Sequence, residues 1–208
     1  MSSSNRLERK FQKSLNERWL LRFSTIHPDG GNYYGIVVAI RSEFIVVCDD
    51  SEFEFNGFQI FPKQSITEVR DGRVEACINR IIRSNQALET VTTPQWISEC
   101  EGIVDVLHSI HRQDIWPIVE SLYENKQKTA FYIGPITKVG DHSLWLRCYD
   151  GDGKWEKRYE LDYSDIFRIE FGSRYERHFN AYMKSRAGQR KQTAKKPKLD
   201  NPRKRNSK

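Results

Sequence analysis

The plainest chemistry in the chain sits near its C-terminal end. Lys191, the run Lys195-Lys196-Pro197-Lys198 and the run Arg203-Lys204-Arg205 form a basic arm. Such an arm binds phosphate with little regard to sequence and lets go steeply as salt rises. The competing readings are a solubilising tail and an arm folded back on an acidic body. In a eukaryotic cell the same clusters would read as nuclear import signals. A second candidate is Asp105-x-x-His108-x-x-His111, with Cys100 and Glu101 just before it. Side chains three apart on a helix are neighbours, so Asp105 and His108 could share an ion, with His111 as a further weak candidate. They fall short of a closed tetrahedral set, and no second half-site accompanies them. The expectation is therefore a solvated helix face with no metal and no cofactor. Asp150-Gly151-Asp152-Gly153 resembles the start of a calcium loop but lacks the bidentate Glu at the twelfth position, so it reads as a hairpin turn. No nucleophile elbow, phosphate loop, zinc-protease helix or dinucleotide glycine run occurs. The expected protein is not an enzyme. The remote alternative is an enzyme or metal protein with a pocket near Asp105, His108 and His111.

Charge partitions along the chain. Its 208 residues carry a formal net charge of +6. Residues 184–208 hold eleven Lys and Arg against one acid, Asp200. The first 22 residues hold six basic residues against Glu8 and Glu17. Residues 23–183 are left at −8. A body of that sign does not attract a phosphate backbone over its whole surface, so attraction to nucleic acid is assigned to the ends. No window reaches 18 consecutive apolar residues, so no membrane span is expected, and the polar, basic start reads as no secretory signal. Four widely spaced cysteines without a C-x-x-C read as reduced, mostly buried thiols of a cytoplasmic protein.

The elements that must position these residues come in two similar sets. The tract from Trp19 to Asp50 aligns with that from Trp116 to Asp150, matching Gly35 with Gly134, Ile40 with Val139 and Ile45 with Leu144. Farther on, Phe61 matches Leu161, Ser65 matches Asp165, Ile66 matches Ile166, Val69 matches Ile169 and Gly72 matches Gly172. A shared order of apolar positions over this length argues for an internal repeat. Each set reads as about five short strands, with WLLRFSTI, YYGIVVAI and EFIVVC in the first and WPIVESLY, AFYIGPITKV and SLWLRCY in the second. DDSEFEFNG reads as a connector. RVEACINRIIRS and RYERHFNAYMKS carry helical stripes after the strands, and Leu7, Phe11 and Leu15, or Ile103, Leu107 and Ile110, mark a helix before them. From about Ala187 the chain is polar, Lys-rich and broken by Pro197 and Pro202, a composition that stays disordered.

A helix followed by five strands, with Gly35-x-Val37-x-x-Ile40 and Gly134-x-Ile136-x-x-Val139 early in the second strand, resembles the Sm-like and SH3-like small barrels. It is also similar to uncharacterised bacterial proteins carrying such a unit in tandem. The resemblance implies an α+β, mainly β fold of two tandem small barrels. The expected division is 1–84, a helical linker at 85–113, 114–186, and the basic tail at 187–208. Sm-like RNA binders carry an Asp-x-x-x-Asn turn and a later Arg-Gly or Lys-His type turn. This chain has Arg41-Ser42-Glu43 and Gly140-Asp141-His142 at the first, and Lys63-Gln64-Ser65 and Tyr163-Ser164-Asp165 at the second. The resemblance therefore carries the fold without the RNA site. Tyr33-Tyr34, Phe53-x-Phe55 and Trp145 could stack bases, but in so small a unit they read first as core. The expected function is a binding or adaptor protein, with protein partners on the barrels and nucleic acid on the tail. The alternative is a reader of RNA or DNA through the barrels, which a basic patch gathered on one face would favour.

Overall fold

The computed structural model describes residues 3–195 apart from residue 126, with side chains described from 5 to 186. The chain opens on helix α1 (Ser3–Glu17). Leu7, Phe11 and Leu15 recur every four residues, so one face is apolar, and Phe11 is buried at its centre. Ser14 fastens this face to the strands. Its hydroxyl donates to Trp19 O at 2.6 Å and accepts from Val37 N at 2.9 Å.

The first half continues through β1 (Leu21–Thr25), β2 (Asn32–Ile40), β3 (Phe44–Ser51), β4 (Glu54–Pro62), a 3-10 turn at Lys63–Ser65, β5 (Ile66–Arg70) and α2 (Arg73–Ser84). After two 3-10 turns comes α3 (Ile103–Arg112). The second half supplies β6 (Ile118–Tyr123), β7 (Lys128–Ile133), β8 (Ile136–Val139), β9 (Ser143–Tyr149), β10 (Trp155–Asp162), a 3-10 turn at Tyr163–Asp165, β11 (Ile166–Phe171) and α4 (Arg174–Lys195). The backbone of α4 is thus helical into the stretch whose composition reads as unstructured. Lys196, Lys198, Arg203, Lys204 and Arg205 lie outside the described residues.

Neither of the two antiparallel sheets closes into a barrel. One runs β5-β1-β2-β3-β4-β11-β6-β7 and the other β10-β9-β8. The halves are therefore sewn together by β4 and β11, where Ile60 faces Ile169 and Phe58 faces Phe171. The largest buried cluster crosses that seam. It joins Phe44, Val46 and Ile60 with Leu107 and Ile110 of α3 and with Leu144, Leu146 and Ile169.

The tract AFYIGPITKV is one strand in the pattern and two in the structure. Gly134 has a φ of +148°, and Pro135 has no N–H for a ladder. The chain turns there, so β7 stays on β6 while β8 pairs with β9. The equivalent β2 has no proline and runs unbroken, bending at a register shift between Val37 and Ala39. Asp49 and Asp50 also depart from expectation. They lie within β3, and the hairpin to β4 needs only Glu52 and Phe53 between paired Ser51 and Glu54.

Corresponding residues of the halves make corresponding bonds. Arg41 N donates to Phe44 O, and Gly140 N to Ser143 O, both at 2.9 Å. Lys63 N donates to Glu43 O as Tyr163 N does to His142 O. A Cβ on Gly35 would overlap Cys48 O, and one on Gly134 would overlap Arg147 O, so both glycines permit a close approach of backbones.

Candidate functional site

The helices that follow the strands dock alike, through residues whose pattern the sequence reading passes over. In α2, Glu75 accepts from Gly72 N at 2.7 Å and Asn79 holds Leu20, accepting from its N at 2.9 Å and donating to its O at 3.1 Å. In α4, Glu176 N donates to Ser173 Oγ at 3.2 Å, and Asn180 donates to Trp116 O at 2.9 Å while accepting from Tyr149 Oη at 2.6 Å. Arg83 lies over the ring of Trp19 and Lys184 over that of Trp116. The signal was an Arg-x-Glu-x-x-x-Asn spacing shared by residues 73–79 and 174–180. These polar residues are anchors, so whatever each helix offers to a ligand is on its other face.

That outer face differs between the halves. α2 presents Val74 and Ile81, 57% and 37% exposed. At the corresponding positions α4 presents Tyr175 and Tyr182, 54% and 49% exposed. The tyrosines belong to a connected set of rings. Tyr175 meets Phe179 at 5.8 Å between centroids, Phe179 meets Tyr182 at 6.4 Å and Tyr149 at 4.8 Å, and Tyr149 reaches Trp155 at 5.8 Å. Phe131 stands exposed on β7 beside them, across a groove of about 300 Å³. Ring faces are electron-rich, and cations have settled on them. The guanidinium of Arg147 lies 4.6 Å from Trp155, Arg186 lies 5.6 Å from Tyr182, and Lys138 lies 4.4 Å from Trp145 on the same small sheet.

The small sheet adds charge to the rings. Arg147 and Arg158 are directly opposite each other on β9 and β10. Like charges in that relation repel and favour an anion between them. Glu156 lines the aromatic groove and Glu160 lies on the same strand, so the charge of this surface is mixed. Asp150 also lines the groove, but its carboxylate is turned into the hairpin, accepting from Asp152 N at 3.0 Å and Lys154 N at 2.8 Å. This hairpin matches the sequence expectation. Arg186 donates to Gly153 O at 2.9 Å, tying the hairpin to α4, whose backbone then leads through Lys191 to Lys195.

Much of the acidity counted in the body is spent inside the sheet. Arg168 on β11 donates twice to Glu120, at 2.9 Å each, and once to Glu170 at 2.8 Å, while its guanidinium lies 4.8 Å from the ring of Tyr33. Burial works against its charge, but the bonds to Glu120 together with the charges of Glu120 and Glu170 outweigh burial and keep Arg168 cationic. Asp49, which accepts from Gln59 Nε2 at 2.7 Å, is pushed up to about 7 by burial and then by Glu170. Burial pushes Asp50 up to about 6. Glu176, 3% exposed and with Oε2 lacking a partner, is pushed up to about 8 by burial, with Glu170 adding to it. Counting each of these as a surface charge at pH 7 makes the body look more repellent to phosphate than it is.

The remaining sequence candidates fall elsewhere. Asp105 caps α3, its Oδ2 accepting from Glu101 N at 3.1 Å and Gly102 N at 3.0 Å, and these bonds hold its carboxyl below the usual range. His108 and His111 are exposed on the same helix, and among the described residues no group of three His, Cys, Asp or Glu is placed to hold a metal. Cys48, Cys100 and Cys148 are buried, Cys77 is exposed, and all are free. The turns at Glu43, at Lys63-Gln64 and at Tyr163-Ser164 converge on a cavity of about 380 Å³ also lined by Ile103. Its lysine already faces Glu8 at 3.3 Å and shares the cavity with Glu43, which suits it poorly to phosphate. No described helix is long and apolar enough to cross a membrane. Comparison with protein-family models, with curated proteins and with solved structures finds no match to this chain.

Proposed function

We propose that the protein is a non-enzymatic binding protein whose second half holds single-stranded nucleic acid. The observation that carries the reading is the exchange of Val74 and Ile81 for Tyr175 and Tyr182 at matching exposed positions, in a ring set bordered by Arg147, Arg158 and Arg186. Exposed rings supply stacking platforms that accept any base, and the arginines supply phosphate contacts. Rings on a helix reach bases only when these are unpaired, so a single strand is favoured over a duplex. The basic arm begins at Lys191 and Lys195 in α4, continues in sequence through Lys196, Lys198, Arg203, Lys204 and Arg205, and adds affinity that ignores sequence. The matched anchors of α2 and α4 and the matched glycines support reading the halves as divergent copies of one small Sm-like or SH3-like unit. The free cysteines suit a reducing compartment such as the cytoplasm.

The test is fluorescence anisotropy with labelled oligouridylate and duplex DNA across a salt series. The full chain should bind the single strand more tightly. Substituting Tyr175 and Tyr182 by alanine should weaken binding by about 5-fold to 100-fold per lost stack. Exchanging Arg147 and Arg158 for glutamine should flatten the salt dependence by about 0.7 in log–log slope per lost phosphate contact. Binding abolished by glutamines at the basic residues from 191 to 205, yet untouched by either pair, would assign it to the arm alone.

A further inference from the structure

The counterpart surface on the first half is built for a different partner. Helical spacing of 3.6 residues per turn places Val74, Ile78 and Ile81 on one ridge, with Cys77 at its border and Arg73 and Arg80 beyond Cys77. Val74 and Ile81 are exposed, and Ile78 is half-buried against the cluster of Leu20, Ile36 and Ile82. The β3–β4 hairpin ends beside the same helix, Asn85 Nδ2 donating to Phe53 O at 3.5 Å. Its two turn residues, Glu52 and Phe53, have φ of +56° and +68°. A two-residue turn of that kind favours Asn-Gly, and a bulky side chain at positive φ is uncommon. Phe53 is 39% exposed, and its carbonyl meets Asn85 at the C-terminal end of α2. Backbone strain that persists with an apolar side chain in water points toward a contact elsewhere.

Charge states what that contact is. α2 exposes Arg73, Arg80 and Arg83, while its one carboxylate, Glu75, is buried in the cap. The exposed acids nearby lie off the helix: Glu52 at the hairpin tip, Glu54, which faces Arg174 at 3.4 Å, and Glu89 on the 3-10 turn after α2. A second copy docking ridge to ridge would bring the arginines face to face, which disfavours self-association. We propose that this surface docks an acidic amphipathic segment of a partner protein, its apolar side chains on Val74, Ile81 and Phe53 and its carboxylates on Arg73 and Arg80. The site lies on the other half from the aromatic groove, so either reading can fail without the other.

Cys77 offers a direct probe, because the other three cysteines are buried. The full chain, labelled there with an environment-sensitive dye, is titrated with a synthetic helical peptide carrying leucines on one face and glutamates on the other. A saturable emission shift is expected, weakened about 10-fold by Val74→Ser with Ile81→Ser and likewise by Arg73→Glu with Arg80→Glu. All four positions are exposed, and circular dichroism confirms that each variant folds. No saturable shift would overturn the proposal. So would an equal response to a lysine-for-glutamate peptide, to a peptide whose leucines share no face, or to oligouridylate. A mass doubling in light scattering of the unlabelled chain that both variant pairs abolish would replace the partner by a second copy.

Discussion

Replacing Glu176 by glutamine should stabilise the protein in alkali and do little in acid. The carboxyl is buried, Oε2 has no partner, and its folded-state value of about 8 lies far above the roughly 4.3 of an unfolded chain. Between those two values the native state holds a proton that the unfolded state has released. Stability therefore falls as pH rises, by about 1.4 kcal/mol per unit for one such proton. The contribution is complete below about pH 4 and exhausted above about pH 8. Glutamine keeps the shape and cannot ionise, so its advantage over the parent grows across that window, reaching at most about 4 kcal/mol between pH 5 and pH 8. Asp49 titrates in the same direction but is present in both proteins and cancels in the comparison. Urea unfolding of both chains from pH 5 to pH 9 reads the effect as a midpoint shift of about 1–2 M that opens with pH. Parallel midpoints would show that Glu176 is already ionised at pH 5 and that its site admits water.

Alanine at Gly134 should cost about 2 kcal/mol or more, because its Cβ would overlap Arg147 O and φ is +148°; an unchanged thermal midpoint would refute the close approach. Arg168→Met should cost about 3–5 kcal/mol by leaving Glu120 and Glu170 buried without a counter-charge. Adding Glu120→Gln and Glu170→Gln to that variant should restore most of the loss, and failure to do so in denaturant titrations would place the cost in packing rather than charge. Asn79→Ala should lower stability by about 2 kcal/mol through the stranded N–H and C=O of Leu20, measurable in the same titration.

The positions and types of most strands were legible because they alternate or carry β-branched runs, and Asp150-Gly151 announced its hairpin. Gly35 and Gly134 were paired by pattern, and both prove to face a carbonyl on the neighbouring strand. The break at Pro135 was present in the letters but lost in the apolar run around it. Asp49 and Asp50 read as a connector because sequence assigns carboxylates to water, whereas here burial is offset by Gln59 and by protonation. The pairing of β4 with β11 has no local signature, since each strand pattern is satisfied by many neighbours. Formal charge overstates the acidity of the body for a related reason: it counts Glu176 and Asp49 as if they faced solvent. The rings themselves were visible, but in α4 they read only as a helical stripe, and a phase shift of about one residue decides which side of a helix meets water.

The β4–β11 seam also sets a schedule for making the molecule. Its partners are about 110 residues apart, so their pairing waits on closure of a long loop. During synthesis α1, β1 to β5 and α2 have left the ribosome well before β11 exists. Throughout that interval the long edge of β4, which includes Phe58 and Ile60, has no strand to pair with. A chain paused after α3 would present that edge to its neighbours on a polysome, where a stalled copy could capture the β11 of another. The rate of translation across residues 113–171 therefore becomes a variable in the yield of monomer, and slow codons there should raise the fraction of entwined or aggregated product.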